Sequence, residues 1–193
     1  MEKIIRFVDV LIKQHDPYYN SHSKNTAHLV SMLAIASRYP EEKLLFLEYA
    51  TRLHDVGKLM IPEILLNKIG RLTGNELSTI QRHAQNGYRA IRSFSELEPV
   101  DKDEFVSRAI YQHHENWDGT GYPQGLRGEH ICIEARMIRI CDTFDALTTD
   151  RAYRKALTFE MAVDLLDADR GLFDPILLDI FLRQVLKAYN HGK

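Results

Sequence analysis

The chain has 193 residues, 45% of them hydrophobic, so it is about one domain long and has the apolar content for a core, which argues against disorder. Its net charge is −2 and its isoelectric point about 6.5, which leaves no global basic field for a DNA or RNA polymer; an anionic ligand must be met by local charges. Two cysteines, Cys132 and Cys141, are too few for a disulfide framework and sit in apolar sequence, as buried thiols in a reducing cytoplasm would.

The N-terminal "MEKIIRFVDVLIKQHDP" is broken by charges too often for a signal peptide, and no segment approaches the roughly 18 apolar residues of a membrane span. Ile4, Ile5, Val8, Leu11 and Ile12 instead share one helical face. The same spacing predicts helices over 26–38, with Leu29, Val30, Leu33 and Ala34 on one side, and over 41–54, stopped near Gly57. Thr73 and Glu76 form a capping box that opens a helix carrying His83. Further helices are predicted over 103–115, 133–147 and 158–167, and one after Pro175. No run alternates as a strand does, and no repeat is found. The expectation is a single all-α domain over 1–193, an irregular bundle of about seven helices.

Among nine histidines, His22, His54, His83, His113 and His114 stand out by context. "HDVGK" places Asp55 directly after His54, and "YQHHENWDGTGYP" places two adjacent histidines before a turn-prone loop. Neutral imidazole with carboxylate is a donor set for Zn, Fe, Mn or Ni. Neighbours on a helix point about 100° apart, so a helix edge presenting both members of each pair to one cavity makes a ligand platform. Any one of these histidines could instead be an ordinary surface or core residue; the clustering carries the inference. Asp142 lies in the apolar stretch "RMIRICDTFDALTTDRAYR", where a carboxylate is costly unless paired or metal-bound. A salt bridge to Arg136 or Arg139 is the plainer alternative. Asp145, three residues on, shares its face and is the expected support behind the ligands.

With these motifs together the chain resembles the HD-GYP domain, a branch of the HD phosphohydrolase superfamily. "RLHDVGKLMIPEILLNKIGRLTGNELSTIQRHAQNGYRAI" and "IYQHHENWDGTGYPQGLRGEHICIEARMIRICDTFDALTTDRAY" carry the likeness, which spans roughly residues 19–181. The resemblance implies an HD-type helical bundle and a pair of divalent ions, iron or manganese before zinc or nickel. One would be held by His22, His54, Asp55 and Asp142, the other by His83, His113 and His114 with Asp55 bridging. It implies metal-activated water attacking a phosphodiester of cyclic di-GMP to give linear pGpG, and in some members GMP. Asp55 and Lys58 would serve the chemistry, Lys58 by neutralising charge on the phosphoryl oxygens. Arg151 and Arg154 would hold phosphate and Tyr122 would stack on a base, unless the two arginines simply form a solvated face.

The departures are Tyr18 where some members carry a glutamate for a third metal, Asn25 in "HSKN", Lys68-Ile69-Gly70 and Arg151-Ala152-Tyr153. None removes an expected ligand. Alternatives are an HD phosphohydrolase for another cyclic dinucleotide or a nucleotide, and a non-catalytic cyclic di-GMP receptor. Family members are mostly fused to a sensor or receiver domain, which this sequence lacks, and a homodimer is left open.

Overall fold

The computed structural model describes residues 2–15, 19–97, 99, 101–150 and 155–191, and among them no strand occurs. The long helices are α1 (Glu2–His15), α2 (Tyr19–Ala36), α3 (Leu44–Leu53), α5 (Gly74–Ser93), α6 (Phe105–Gln112), α7 (Ile133–Thr148) and α8 (Phe159–Ala168). Between α3 and α5 lies the single turn α4 (Glu63–Leu66), too short to leave a periodic signature. The last predicted helix is α9 (Pro175–Ile180), a π-turn over Phe181–Val185, then α10 (Leu186–His191).

The apolar faces read from the sequence are the ones that pack. Ile5 and Ile12 of α1, Leu29 and Leu33 of α2, Leu53 of α3, Ile110 of α6, Met137 and Phe144 of α7, and Phe181 close one buried cluster. Phe144 meets Phe181 edge-on at 5.5 Å between ring centres. Truncating such a buried aromatic to alanine typically costs ~3–5 kcal/mol. α2 packs on both α3 and α7, and α6 packs on α3 and α5, which brings histidines and aspartates from all of these elements near one another.

The predicted capping box forms: the Thr73 hydroxyl accepts from the Glu76 amide at 3.3 Å, and the Glu76 carboxylate accepts from the Thr73 amide at 2.8 Å. Asp174 caps α9 with its side chain alone, accepting from the Ile176 and Leu177 amides, with Pro175 following. Two helix starts differ from the expectation. α6 begins at Phe105, because Asp103 and Glu104 hold left-handed backbone (φ 56° and 58°). α2 begins at Tyr19, a turn or more before 26; His22, Ser23 and Thr26 are buried there, so polar side chains occupy the inward face where an apolar pattern would otherwise mark the helix.

Candidate dinuclear metal centre

The site begins where α3 ends. His54 is the C-terminal cap of α3, Asp55 follows, and the chain tightens into a 3-10 turn over Val56–Met60. That turn lies against α5 at backbone contact. A Cβ on Gly57 would stand 1.9 Å from the His83 carbonyl oxygen and 2.5 Å from the Gly87 nitrogen. Glycine at 57 is therefore what lets "HDVGK" approach the helix that carries His83, and so joins two motifs distant in sequence.

Three of the five singled-out histidines are oriented alike. The Nδ1 atoms of His54, His83 and His113 lie 2.6, 2.8 and 2.6 Å from the carbonyls of Thr51, Ile80 and Ile110, each three residues earlier. A carbonyl only accepts, so each Nδ1 carries the ring proton and each Nε2 presents a lone pair to the cavity. His22 is held differently, donating from Nδ1 to Asp145 Oδ2 at 2.6 Å, with Nε2 3.1 Å from Asp142 Oδ1. Asp145 thus fixes the orientation of the His22 ring.

Two clusters result. His22, His54 and Asp142 form one, and Asp55, His83, His113 and His114 the other. Asp55 stands between them: Oδ2 is 3.3 Å from His54 Nε2 and 3.9 Å from His22 Nε2, while Oδ1 is 3.5 Å from His83 Nε2. His113 and His114 both reach the second cluster because α6 stops at Gln112, so the pair sits on a turning chain, with ring centres 4.1 Å apart. Lys58 Nζ donates to Asp55 Oδ2 at 2.7 Å, at the rim of the cavity.

The electrostatics follow from burial. Burial pushes His83 down, His114 well down and His113 to about 3, so these imidazoles stay neutral. For Asp55 and Asp142 burial acts in the raising direction and is outweighed, by Lys58 and His54 at Asp55 and by His22 at Asp142, so both stay ionised.

Neutral His83, His113 and His114 rings beside the ionised Asp55 carboxylate make a donor set for a cation. His83 Nε2 and His113 Nε2 face each other at 3.2 Å, and His54 Nε2 is buried with no hydrogen-bond partner. Two bare lone pairs at that distance repel unless a positive ion lies between, and burial disfavours protonating either ring. The residues present therefore fit divalent ions of the borderline class.

The "GYP" loop closes over the second cluster. Tyr122 stacks on His114 with ring centres 4.8 Å apart and planes 26° from parallel, and burial raises its phenol pKa. Gly121 permits this fold-back, since a Cβ there would lie 2.2 Å from the Asn116 nitrogen. The loop is clamped by Glu115, a buried carboxylate that accepts from the Gln124 amide at 2.7 Å and the Leu126 amide at 3.0 Å. Glu115 is not singled out by the sequence pattern; an acid directly before a glycine-rich loop is the signal that points to it.

The site thus gathers His22, His54, Asp55, Lys58, His83, His113, His114, Tyr122, Asp142 and Asp145. The plainer reading of Asp142 fails among the described residues: Arg136 pairs with Asp174 at 2.6 Å, and Arg139 bonds Asn116 and Thr143. Arg151, Arg154 and Tyr18 lie outside the described residues.

Among the described residues, then, a helical bundle gathers five histidines and two aspartates into two adjoining clusters that could hold metal. The HD domain family matches residues 6–177, and the chain belongs to it. A cyclic di-GMP phosphodiesterase response regulator, RpfG, from Xanthomonas campestris pv. campestris is 37% identical over 176 residues, 89% of this chain and 45% of its own. A cyclic di-GMP phosphodiesterase of Pseudomonas aeruginosa is 36% identical over 91% of this chain and 41% of its own. The chain therefore spans less than half the length of these curated relatives. Among solved structures, an HDG"Y"P protein from Bdellovibrio bacteriovorus superposes with TM-score 0.69 at 23% identity, covering 88% of this chain and 52% of that one. The HD domain of Listeria monocytogenes phosphodiesterase PgpH, in complex with cyclic di-AMP, superposes with TM-score 0.68 at 16% identity over 96% and 97%. At those identities the likeness speaks to the fold. The HD-GYP resemblance and the all-α expectation both hold. No helix among the described residues is long and apolar enough to cross a membrane.

Proposed function

We propose that this chain is a metal-dependent phosphodiesterase that opens cyclic di-GMP to linear pGpG. The observation that carries the reading is the pair of adjoining clusters with Asp55 between them, roofed by Tyr122. His22, His54, Asp55 and Asp142 would hold one divalent ion, and Asp55, His83, His113 and His114 the other, iron or manganese before zinc or nickel. Bound there, a pair of ions supplies an acidified water and a clamp on the phosphate oxygens.

The chain's own groups do the rest. Asp145 fixes the tautomer of His22, and the carbonyls of Thr51, Ile80 and Ile110 fix His54, His83 and His113. Lys58, bonded to Asp55, sets a positive charge beside the clusters, where it can stabilise a phosphoryl oxygen as charge builds there during P–O cleavage. Tyr122 offers a guanine the ring face opposite His114, and the Glu115 clamp keeps it there. Arg151 and Arg154 complete the phosphate contacts in this reading, and the domain works as a cytoplasmic unit.

A relative from Vibrio cholerae, named 3'3'-cGAMP-specific phosphodiesterase 2, is 35% identical over 84% of this chain and 30% of its own. It favours 3'3'-cGAMP as the second reading. Elemental analysis with chromatography of products from cyclic di-GMP, 3'3'-cGAMP and cyclic di-AMP tests both. Two equivalents of metal with pGpG as product support the first; faster turnover of 3'3'-cGAMP transfers the assignment. Tight cyclic di-GMP binding with no product makes the chain a receptor.

A further inference from the structure

Arg139 stands three residues before Asp142 on α7, so the two lie on neighbouring positions of one helix face. Its Nε donates to Asn116 Oδ1 and its Nη1 to Thr143 Oγ1, both at 3.0 Å. Both acceptors are neutral, and no carboxylate pairs with this guanidinium among the described residues. Arg136, three residues earlier, is by contrast neutralised by Asp174. The cation also rests beside the Phe173 ring, 5.8 Å from its centre, and is half-buried.

A half-buried arginine without a counter-ion is an unusual expense, since desolvation is incurred and no Coulomb energy returns it. Its geometry says what is missing. A guanidinium has five N–H donors; Asn116 and Thr143 take two, leaving three, with one on Nη1 and two on Nη2. The Nη1–Nη2 fork is thus still available for bidentate contact with a planar or tetrahedral oxyanion. Asn116 lies two residues from His114, on the loop that bears Tyr122. The anion it lacks would therefore lie on the loop side of the cavity, beside the metal ligands.

We infer that Arg139 is a substrate-binding residue that holds the phosphate not being cleaved. This rests on the cyclic dinucleotide reading: such a ring carries two phosphodiesters, only one of which can sit at the metal centre in a given turnover. Arg139 then takes the other, and its tie to Asn116 sets the ring's distance from the loop.

The test compares substrates with two phosphates and with one, on the metal-loaded protein. For Arg139→Ala, KM for cyclic di-GMP should rise about 10- to 100-fold, the scale of charge-assisted hydrogen bonds, with kcat little changed. The KM rise for bis(4-nitrophenyl) phosphate, which has a single phosphate, should be at least about tenfold smaller. Arg139→Lys, which keeps the charge and loses the fork, should fall between wild type and alanine for the dinucleotide. Metal content and melting temperature report whether the variants stay folded. An unchanged KM for cyclic di-GMP overturns the inference. So does an equal loss on both substrates, which would make Arg139 a strut for the loop. If wild type cleaves bis(4-nitrophenyl) phosphate but neither binds nor cleaves any cyclic dinucleotide, the functional reading falls first and this inference with it.

Discussion

His22 and His83 enter the same cavity from opposite sides and are held by different means. On the α2–α7 side the His22 ring leans on a side chain, the Asp145 carboxylate at 2.6 Å. On the α5–α6 side His83 and His113 lean on main-chain carbonyls of their own helices. A carbonyl cannot be mutated away, so the second arrangement is as durable as the helix; a carboxylate can be lost in one substitution, but while present it adds basicity to its ring. His22 is thus tunable through Asp145, whereas His54, His83 and His113 are fixed by main chain, and Asp55 stands between the two clusters.

The sharpest way to break that comparison is to remove the residue between them. Asp55→Ala should release metal from both halves and lower phosphodiesterase turnover by ~10³-fold or more, since several kcal/mol of charge stabilisation disappears. Elemental analysis showing full occupancy would refute the bridging role. Lys58→Ala comes next. It should keep both ions and bind substrate nearly as well, yet turn over ~10²–10³-fold more slowly. Normal turnover with a lowered melting temperature would confine Lys58 to shielding Asp55.

Asp145→Ala addresses the asymmetry itself. Affinity in the His22, His54 and Asp142 cluster should fall ~10–100-fold while the other cluster keeps its ion. A chelator titration followed by metal analysis would then show one ion leaving well before the other; simultaneous loss would mean the halves do not act separately.

The smallest effect lies far from the centre. Lys68 and the Thr73 amide and hydroxyl hold the Glu76 carboxyl down to about 2 from an ordinary 4.5. A group whose folded pKa is depressed adds stability that is whole above its unfolded pKa and is lost as pH falls through the folded one. Glu76→Gln should therefore flatten acid destabilisation between roughly pH 4.5 and 2, lower the neutral melting temperature by a few degrees at most, and leave metal content unchanged.

The helices legible in the sequence are those with apolar faces directed at the core, as in α1 and α7, while α5 is marked by its Thr73–Glu76 capping box. Legibility failed where function replaced the pattern. The first turns of α2 are polar because His22, Ser23 and Thr26 face the centre, and Asp103 and Glu104 look helical in composition while their backbone is left-handed. The paired motifs His54–Asp55 and His113–His114 were readable because adjacent ligand types are rare by chance. Glu115 and Arg139 were not, because their roles rest on contacts with the Gln124 and Leu126 amides and with Asn116, which spacing along the chain does not encode.

Glu115 has a consequence for motion. Gln124 is a surface residue, yet its amide proton is bonded to a buried carboxylate, as is that of half-buried Leu126. Neither proton can exchange with solvent until the loop lifts from Glu115, and lifting it strands that carboxylate without its two donors. These two amides are therefore natural clocks for opening of the cavity mouth. Their hydrogen-exchange rates should slow together when a ligand stacks on Tyr122, and rise together when Glu115 is replaced by alanine.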